Sequence, residues 1–290
     1  MSEIVIDGLS YLYPKAAKQS LENVSLRIAP GDFAVLTGFN GSGKTTLCLA
    51  VAGAVPLYYG GAMAGQVRLG QDKTTDLGIC EIAEKVGLVM QDYESQLVAL
   101  TVEEEVAFAL ENRGMKQADI AVRVKEALVL VGLTGQESRR TADLSGGQKQ
   151  RLAIASVLAT KPQILVLDEP ASALDPEGTA GLYRLLHRLN REQGLTILVV
   201  EHDLAQVLPY ASQFILLGNG KVEQEGKPAE VLRYIGSHSR YACCLPPLWQ
   251  IKLSLETKYV CWSDWKTDED AVRELRDNLD SQEAGKRACM

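Results

Sequence analysis

Apolar and polar positions alternate in Glu3-Ile4-Val5-Ile6-Asp7, which predicts a half-buried strand, and again from Leu21 to Ile28, which predicts a second. The run GDFAVLTG is a short apolar strand ending in Gly38, followed by a Leu- and Ala-rich helix from about Lys44 to Ala52. From about residue 92 to 160 the pattern is mostly helical. Thr101 and Glu104 are spaced as a capping box for TVEEEVAFALEN. ADIAVRVKEALVLVGL carries apolar residues at helical spacing up to Gly132, and a further helix is expected from Ser145 to Ala159, ahead of Lys161-Pro162. Two nearly continuous apolar runs come next, ILVLDEP and TILVVEHD, with the helical EGTAGLYRLLHRLNREQG between them. Strands buried on both faces have this pattern, and their alternation with helices predicts a parallel α/β sheet. Both runs end in charged residues, at the sheet edge where ligands of such folds gather.

The composition shifts after residue 235. All three tryptophans (Trp249, Trp262, Trp265) and four of the six cysteines lie beyond it, and the last stretch is charged and helix-prone. The chain is therefore divided into residues 1–235 and an extension, 236–290, expected either to cap the fold or to add a dimer contact. No apolar run approaches the roughly 18–20 residues that cross a bilayer. Met1-Ser2-Glu3 lacks the basic start of an export signal, so the chain is expected to stay in the cytosol. Cys48, Cys80, Cys243, Cys244, Cys261 and Cys289 include no C-x-x-C pair, as suits reduced thiols. A net charge of −7 argues against a nucleic-acid partner, which would need a basic face.

The candidate chemistry begins at Gly38-Phe39-Asn40-Gly41-Ser42-Gly43-Lys44-Thr45, which satisfies G-x-x-x-x-G-K-[ST] between a strand and a helix. Glycines allow the backbone to wrap phosphates with its N–H groups turned inward. Lys44 is placed to reach the β- and γ-phosphates, and the Thr45 hydroxyl to ligate Mg²⁺. Asp168 closes the strand Ile164–Leu167, where a carboxylate would hold Mg²⁺ through water. Glu169, next in line, is the candidate base for the attacking water, and His202, after the following strand, is the candidate γ-phosphate sensor.

A second glycine-rich helix start, Leu144-Ser145-Gly146-Gly147-Gln148, raises a separate question. Ser145 and Gln148 can form a simple capping box. Capping does not account for two glycines in the first turn, each of which weakens a helix by about 1 kcal/mol relative to alanine; an approaching anion does. One nucleotide has one γ-phosphate, so the second cradle is expected to serve a nucleotide bound to another chain, in a two-fold pair enclosing two ATP molecules.

GFNGSGKTT, LSGGQKQR, ILVLDEP, SALD and EHD, in this order, resemble the nucleotide-binding subunit of ABC transporters over residues 3 to 235. The resemblance implies an α/β P-loop NTPase (RecA-like) with a parallel-sheet core, an N-terminal β subdomain and an inserted α-helical signature subdomain at about 92–160. It implies ATP at Gly38 to Thr46 (Thr46 included), with adenine stacked on Tyr13 or, as second choice, Tyr11. Gln91 becomes the loop glutamine touching Mg²⁺ and the membrane partner. Ser145, Gly146, Gly147 and Gln148 meet the ATP of the opposite subunit, and Asp175 crosses the interface. The run from Val86 to Gly114, through Gln91 and Gln96, resembles the ATPases of energy-coupling-factor importers of vitamins and metals. The function implied is an ATP-hydrolysing motor at the cytoplasmic face of the cell membrane, paired with a copy or a similar ATPase and coupled to an integral membrane subunit. A conventional ABC importer or exporter subunit, a soluble ABC ATPase acting on DNA or ribosomes, and an inactive ATP-binding member are the alternatives. The last two fit poorly: no long heptad insertion separates the two cradles, and Glu169 and His202 are both present.

Overall fold

The computed structural model describes residues 2–172, 174–256 and 262–288, with side chains as far as Asn278. The two alternating segments form β1 (Ile4–Leu12) and β2 (Leu21–Ile28), paired antiparallel. β1 continues well beyond Asp7 because register shifts between Ile6 and Leu9, and between Leu9 and Tyr11, interrupt the period-2 pattern without ending the strand. β3 (Phe33–Thr37) leads through the glycine loop into α1 (Lys44–Val51). A short α2 (Ala54–Leu57) precedes β4 (Ala62–Leu69) and β5 (Asp72–Lys73), which complete a small antiparallel sheet in the order β2-β1-β4-β5. Of β4 only Val67 and Leu69 are buried, so its first half lacks the clean alternation that marked β1 and β2.

α3 (Ile79–Lys85) runs into β6 (Val86–Val89), and a helical layer follows: α4 (Val102–Asn112), α5 (Gln117–Val131) and α6 (Gly146–Leu158). The capping box of α4 is present: the Thr101 N–H donates to Glu104 Oε2 at 3.0 Å, and the Glu104 N–H to Thr101 Oγ1 at 3.4 Å. β7 (Ile164–Asp168), α7 (Pro176–Gln193), β8 (Thr196–Val200) and α8 (Leu204–Val207) return the chain to the sheet. The hairpin of β9 (Gln213–Gly218) and β10 (Lys221–Gly226) then completes the large sheet, β10-β9-β3-β8-β7-β6. All its pairings are parallel except β9 with β10.

The central strands read as unbroken apolar runs because both faces are covered. Phe33, Val35, Leu165, Leu167, Ile197 and Val199 join a core shared with the helical layer. Their neighbours Ala34, Leu36, Ile164, Val166, Leu198 and Val200 turn the other way, into a core shared with α1 and the small sheet. Each larger side chain so buried contributes roughly 1.5–3 kcal/mol of transfer free energy.

The C-terminal segment continues the first of these cores. Val231, Leu232 and Ile235 of α9 (Pro228–Ser237) belong to it, and so do Tyr241, Leu245 and, on α10 (Pro247–Glu256), Trp249. Lys252, fully buried, lies 4.9 Å from the Trp249 ring centroid and pairs with Glu256. α11 (Asp268–Ala288) follows. Cys48 and Cys244 are buried free thiols and Cys80 and Cys243 exposed ones; Cys261 and Cys289 lie outside the described residues. Among the described residues, no helix is long and apolar enough to cross a membrane.

Candidate active site

β3 delivers the chain at Thr37 to the C-terminal edge of the sheet, where the glycine loop turns back. Two of its glycines are required by this chain alone. At Gly38 (φ 144°) a Cβ would lie 2.0 Å from the Leu217 carbonyl oxygen, and at Gly43 (φ 104°) 2.5 Å from that of Ser20. Lys44 is buried, and its Nζ donates to the carbonyls of Gly38 and Phe39 at 3.0 Å each. Burial lowers the Lys44 pKa, against the opposing pull of the Glu169 and Asp168 carboxylates. Asn40, Gly41 and Thr45 are exposed, while Ser42 and Thr46 are buried. The loop thus presents backbone and hydroxyl groups at the N-terminus of α1, a favourable place for an anion.

Asp168, the last residue of β7, is 3% exposed. Burial pushes its carboxyl up, while the Thr45 hydroxyl and, more weakly, Lys44 pull it down. Among the described residues its Oδ1 has no hydrogen-bond partner. The next residue, Glu169, adopts a left-handed backbone (φ 49°), and its N–H is tied to the Val200 carbonyl at 3.2 Å. Its carboxylate is gripped from both sides: Gln91 Nε2 donates to Oε2 at 2.8 Å, and His202 Nε2 lies 2.9 Å from Oε1. This convergence follows from strand order. β7 lies between β6 and β8, so Gln91, Glu169 and His202, each just beyond a strand end, meet at one edge.

Glu201, adjacent to His202, escaped the sequence reading as a functional position. It is buried, it accepts from the Tyr183 hydroxyl and from the backbone N–H groups of Ala171 and His202, and burial raises its pKa to about 7. It therefore joins α7, the segment after Glu169 and the segment bearing His202. Its place at the end of an apolar run put it at the ligand-gathering sheet edge, but nothing in the sequence indicated its distant partner Tyr183.

Tyr11 and Tyr13 separate clearly. Tyr11 is fully buried and donates its hydroxyl to the Gly60 carbonyl at 2.6 Å. Tyr13 is half-buried, with its hydroxyl 3.3 Å from Thr46 Oγ1, beside the loop. The second cradle is elsewhere. Among the described residues, no hydrogen bond or ion pair links Ser145, Gly146, Gly147 or Gln148 to Lys44, Asp168, Glu169 or His202. The capping box exists: the Ser145 N–H donates to Gln148 Oε1 at 3.0 Å, and the Gln148 N–H to Ser145 Oγ at 3.3 Å. Among the described residues, a Cβ on Gly146 would meet only the Tyr93 hydroxyl at 3.5 Å, an ordinary contact. Packing against the described residues therefore does not demand glycine there. Asp175 is exposed and caps α7, accepting from the Gly178 N–H at 2.7 Å.

A family model described as ABC transporter matches residues 21–172, just over half of the 290. The chain belongs to the ABC transporter ATP-binding family. A Pyrococcus abyssi protein provisionally named an ABC transporter ATP-binding protein is 40% identical over 258 residues, 89% of this chain and 91% of that one. The energy-coupling factor transporter ATP-binding protein EcfA1 of Lacticaseibacillus paracasei is 39% identical over 231 residues, 80% and 81% of the two chains. Among solved structures, cbiO1 from Clostridium perfringens, part of the ABC transporter complex cbiONQ, aligns with a TM-score of 0.72 at 29% identity, covering 88% of this chain and 96% of its own. The ATP-binding cassette MJ0796, in a dimeric post-hydrolysis state with ADP and Pi, aligns at 0.67 and 31%, covering 77% and 98%. The fold is accordingly the ABC form of the P-loop NTPases, and the protein is an ATP-hydrolysing transporter subunit.

Proposed function

We propose that this ABC ATPase drives an energy-coupling-factor importer of a micronutrient, a vitamin or a metal ion. In this reading it works as one half of an ATPase pair bound to an integral membrane subunit at the cytoplasmic face. The observation that carries the reading is the double grip on Glu169 by Gln91 and His202. Gln91 opens the segment that leads to α4 and the helical layer, so a movement of that layer acts directly on the candidate base. The likeness to EcfA1 and cbiO1 supports the choice among ABC transporters.

In the proposed site the loop from Gly38 to Thr46 holds the phosphates of ATP, Lys44 offsets charge on the β- and γ-phosphates, and Tyr13 supports the adenine. Glu169 accepts a proton from the attacking water, and His202 orients Glu169 and contacts the γ-phosphate. Thr45, Asp168 and Gln91 provide hydroxyl, carboxylate and amide oxygens, the hard donors that Mg²⁺ prefers. The unpartnered Asp168 Oδ1 is consistent with that use. Bound there, Mg²⁺ would neutralise phosphate charge. Ser145, Gly146, Gly147 and Gln148 meet the ATP held by the partner subunit, with Asp175 at the seam. The partner is a second copy or a related ATPase.

The test is to purify the protein from detergent-solubilised membranes, identify its companions, and assay vitamin and transition-metal uptake by the complex in proteoliposomes. An integral membrane companion and ATP-dependent micronutrient uptake are expected. Companions that transport another solute class would point to a conventional ABC system, and the absence of any integral membrane companion would remove the transport reading.

A further inference from the structure

The C-terminal segment reaches the phosphate loop. Tyr241, 2% exposed, stacks on Phe39, the loop residue between Gly38 and Asn40, with ring centroids 5.2 Å apart and planes 22° from parallel. Tyr241 is itself held. The Arg240 guanidinium lies 4.6 Å from its ring centroid, and Arg240 Nη2 pairs with Glu223 Oε2 of β10 at 2.8 Å. The Tyr241 hydroxyl also hydrogen-bonds Glu223 and remains a neutral phenol, its pKa pushed up to about 12 chiefly by burial. Gly218, at the end of β9, makes the room: a Cβ there would lie 2.4 Å from the Tyr241 hydroxyl.

Phe39 links this anchor to the chemistry. Its carbonyl accepts both from Lys44 Nζ at 3.0 Å and from the Ser42 N–H at 3.1 Å, so its backbone shapes the loop and holds the lysine. The rest of the loop is rich in glycine, and such backbone loses the most freedom when ordered. Among the described residues, nothing lies within 4 Å of a Cβ built at Gly41. Phe39 is the one large apolar side chain in the loop, and it remains 39% exposed even with Tyr241 against it.

We infer that Tyr241, acting through Phe39, is a positioning residue of the ATP site, and that the segment Ser239–Cys244 is a working part of that site rather than an appendage to it. The inference rests on the Gly38 to Thr46 loop being where ATP binds. Its consequence is preorganisation: without the stack, ATP must order the loop at the cost of affinity.

The test measures KM and Kd for MgATP, kcat at saturation and the thermal midpoint for Phe39→Leu, Tyr241→Leu, Tyr241→Phe and the double Leu variant. Phe39→Leu is expected to raise KM and Kd about 3- to 10-fold, the range of a lost aromatic pair, with kcat within about twofold. Its partly exposed site keeps the fold intact even where Tyr241→Leu does not. Tyr241→Phe retains the ring and should restore near-normal KM. The double variant should be no worse in binding than the worse single one, the mark of a coupled pair. Wild-type KM in Phe39→Leu, or a loss tracking only the thermal midpoint, overturns the inference. Lys44→Ala in the same assay keeps the two readings apart: if it abolishes binding while Phe39→Leu binds normally, the ATP site stands and the stack has no role in it.

Discussion

Replacing Glu169 by glutamine tests the proposed base with little disturbance of the fold. The carboxylate sits between two ring or amide nitrogens: Gln91 Nε2 at 2.8 Å from one oxygen and His202 Nε2 at 2.9 Å from the other. A glutamine in the same rotamer can turn its carbonyl to Gln91 and its amide N–H to His202, which accepts when its proton is on Nδ1. Both contacts survive, so the stability change should stay within about 1 kcal/mol, the scale of one net hydrogen bond. What disappears is the capacity to take a proton. General-base loss costs roughly 10²- to 10⁴-fold, equivalent to about 2.7–5.4 kcal/mol of barrier at 1.36 kcal/mol per decade. The assay is phosphate release at saturating MgATP, alongside a fluorescent-nucleotide titration for affinity. Turnover should collapse while Kd changes by less than about threefold, because the substitution removes negative charge near the phosphates rather than a binding donor. Turnover within about fivefold of wild type in a folded, ATP-binding Glu169→Gln protein would refute the assignment of Glu169 as the base.

Lys44→Ala removes a buried cation with two loop hydrogen bonds; MgATP affinity should fall by more than about tenfold, and unchanged affinity in equilibrium dialysis would contradict the phosphate-loop reading. At Gly146 a Cβ makes only an ordinary contact among the described residues, and an acidic residue suits the start of α6, so Gly146→Asp should fold and bind ATP. Hydrolysis should nevertheless drop by about 10² or more as the new carboxylate opposes the partner's nucleotide, and normal turnover would argue against a shared site. Glu201, raised to about 7 from an ordinary 4.5, binds its proton more tightly in the folded than in the unfolded chain. The stability it contributes is therefore full below about pH 4.5 and lost as pH rises through about 7, by on the order of 3 kcal/mol. Thermal midpoints of the wild type should fall relative to Glu201→Gln between about pH 5 and 8, and parallel midpoints would refute this titration.

Some of this molecule could be read without a structure because the chemistry is local. The Gly38–Thr45 loop, the Asp168-Glu169 pair and the capping boxes at Thr101 and Ser145 each lie within a few consecutive residues, where spacing alone constrains geometry. The central strands were equally legible, since burial on both faces of a parallel sheet leaves an unbroken apolar run. Where bulges or exposure blur the period, as at the end of β1 and in the first half of β4, the pattern failed although the strand formed. Only the tertiary structure could bring Gln91, Glu169 and His202 together, because that requires β7 to lie between β6 and β8, an order no spacing encodes. The same holds for Glu201 with Tyr183, and for Tyr241 on Phe39. Hydrophobic periodicity records which face of an element is buried and leaves open what buries it. Which distant side chains meet is settled by how whole elements pack, and at this sheet edge that packing brought the candidate site residues together.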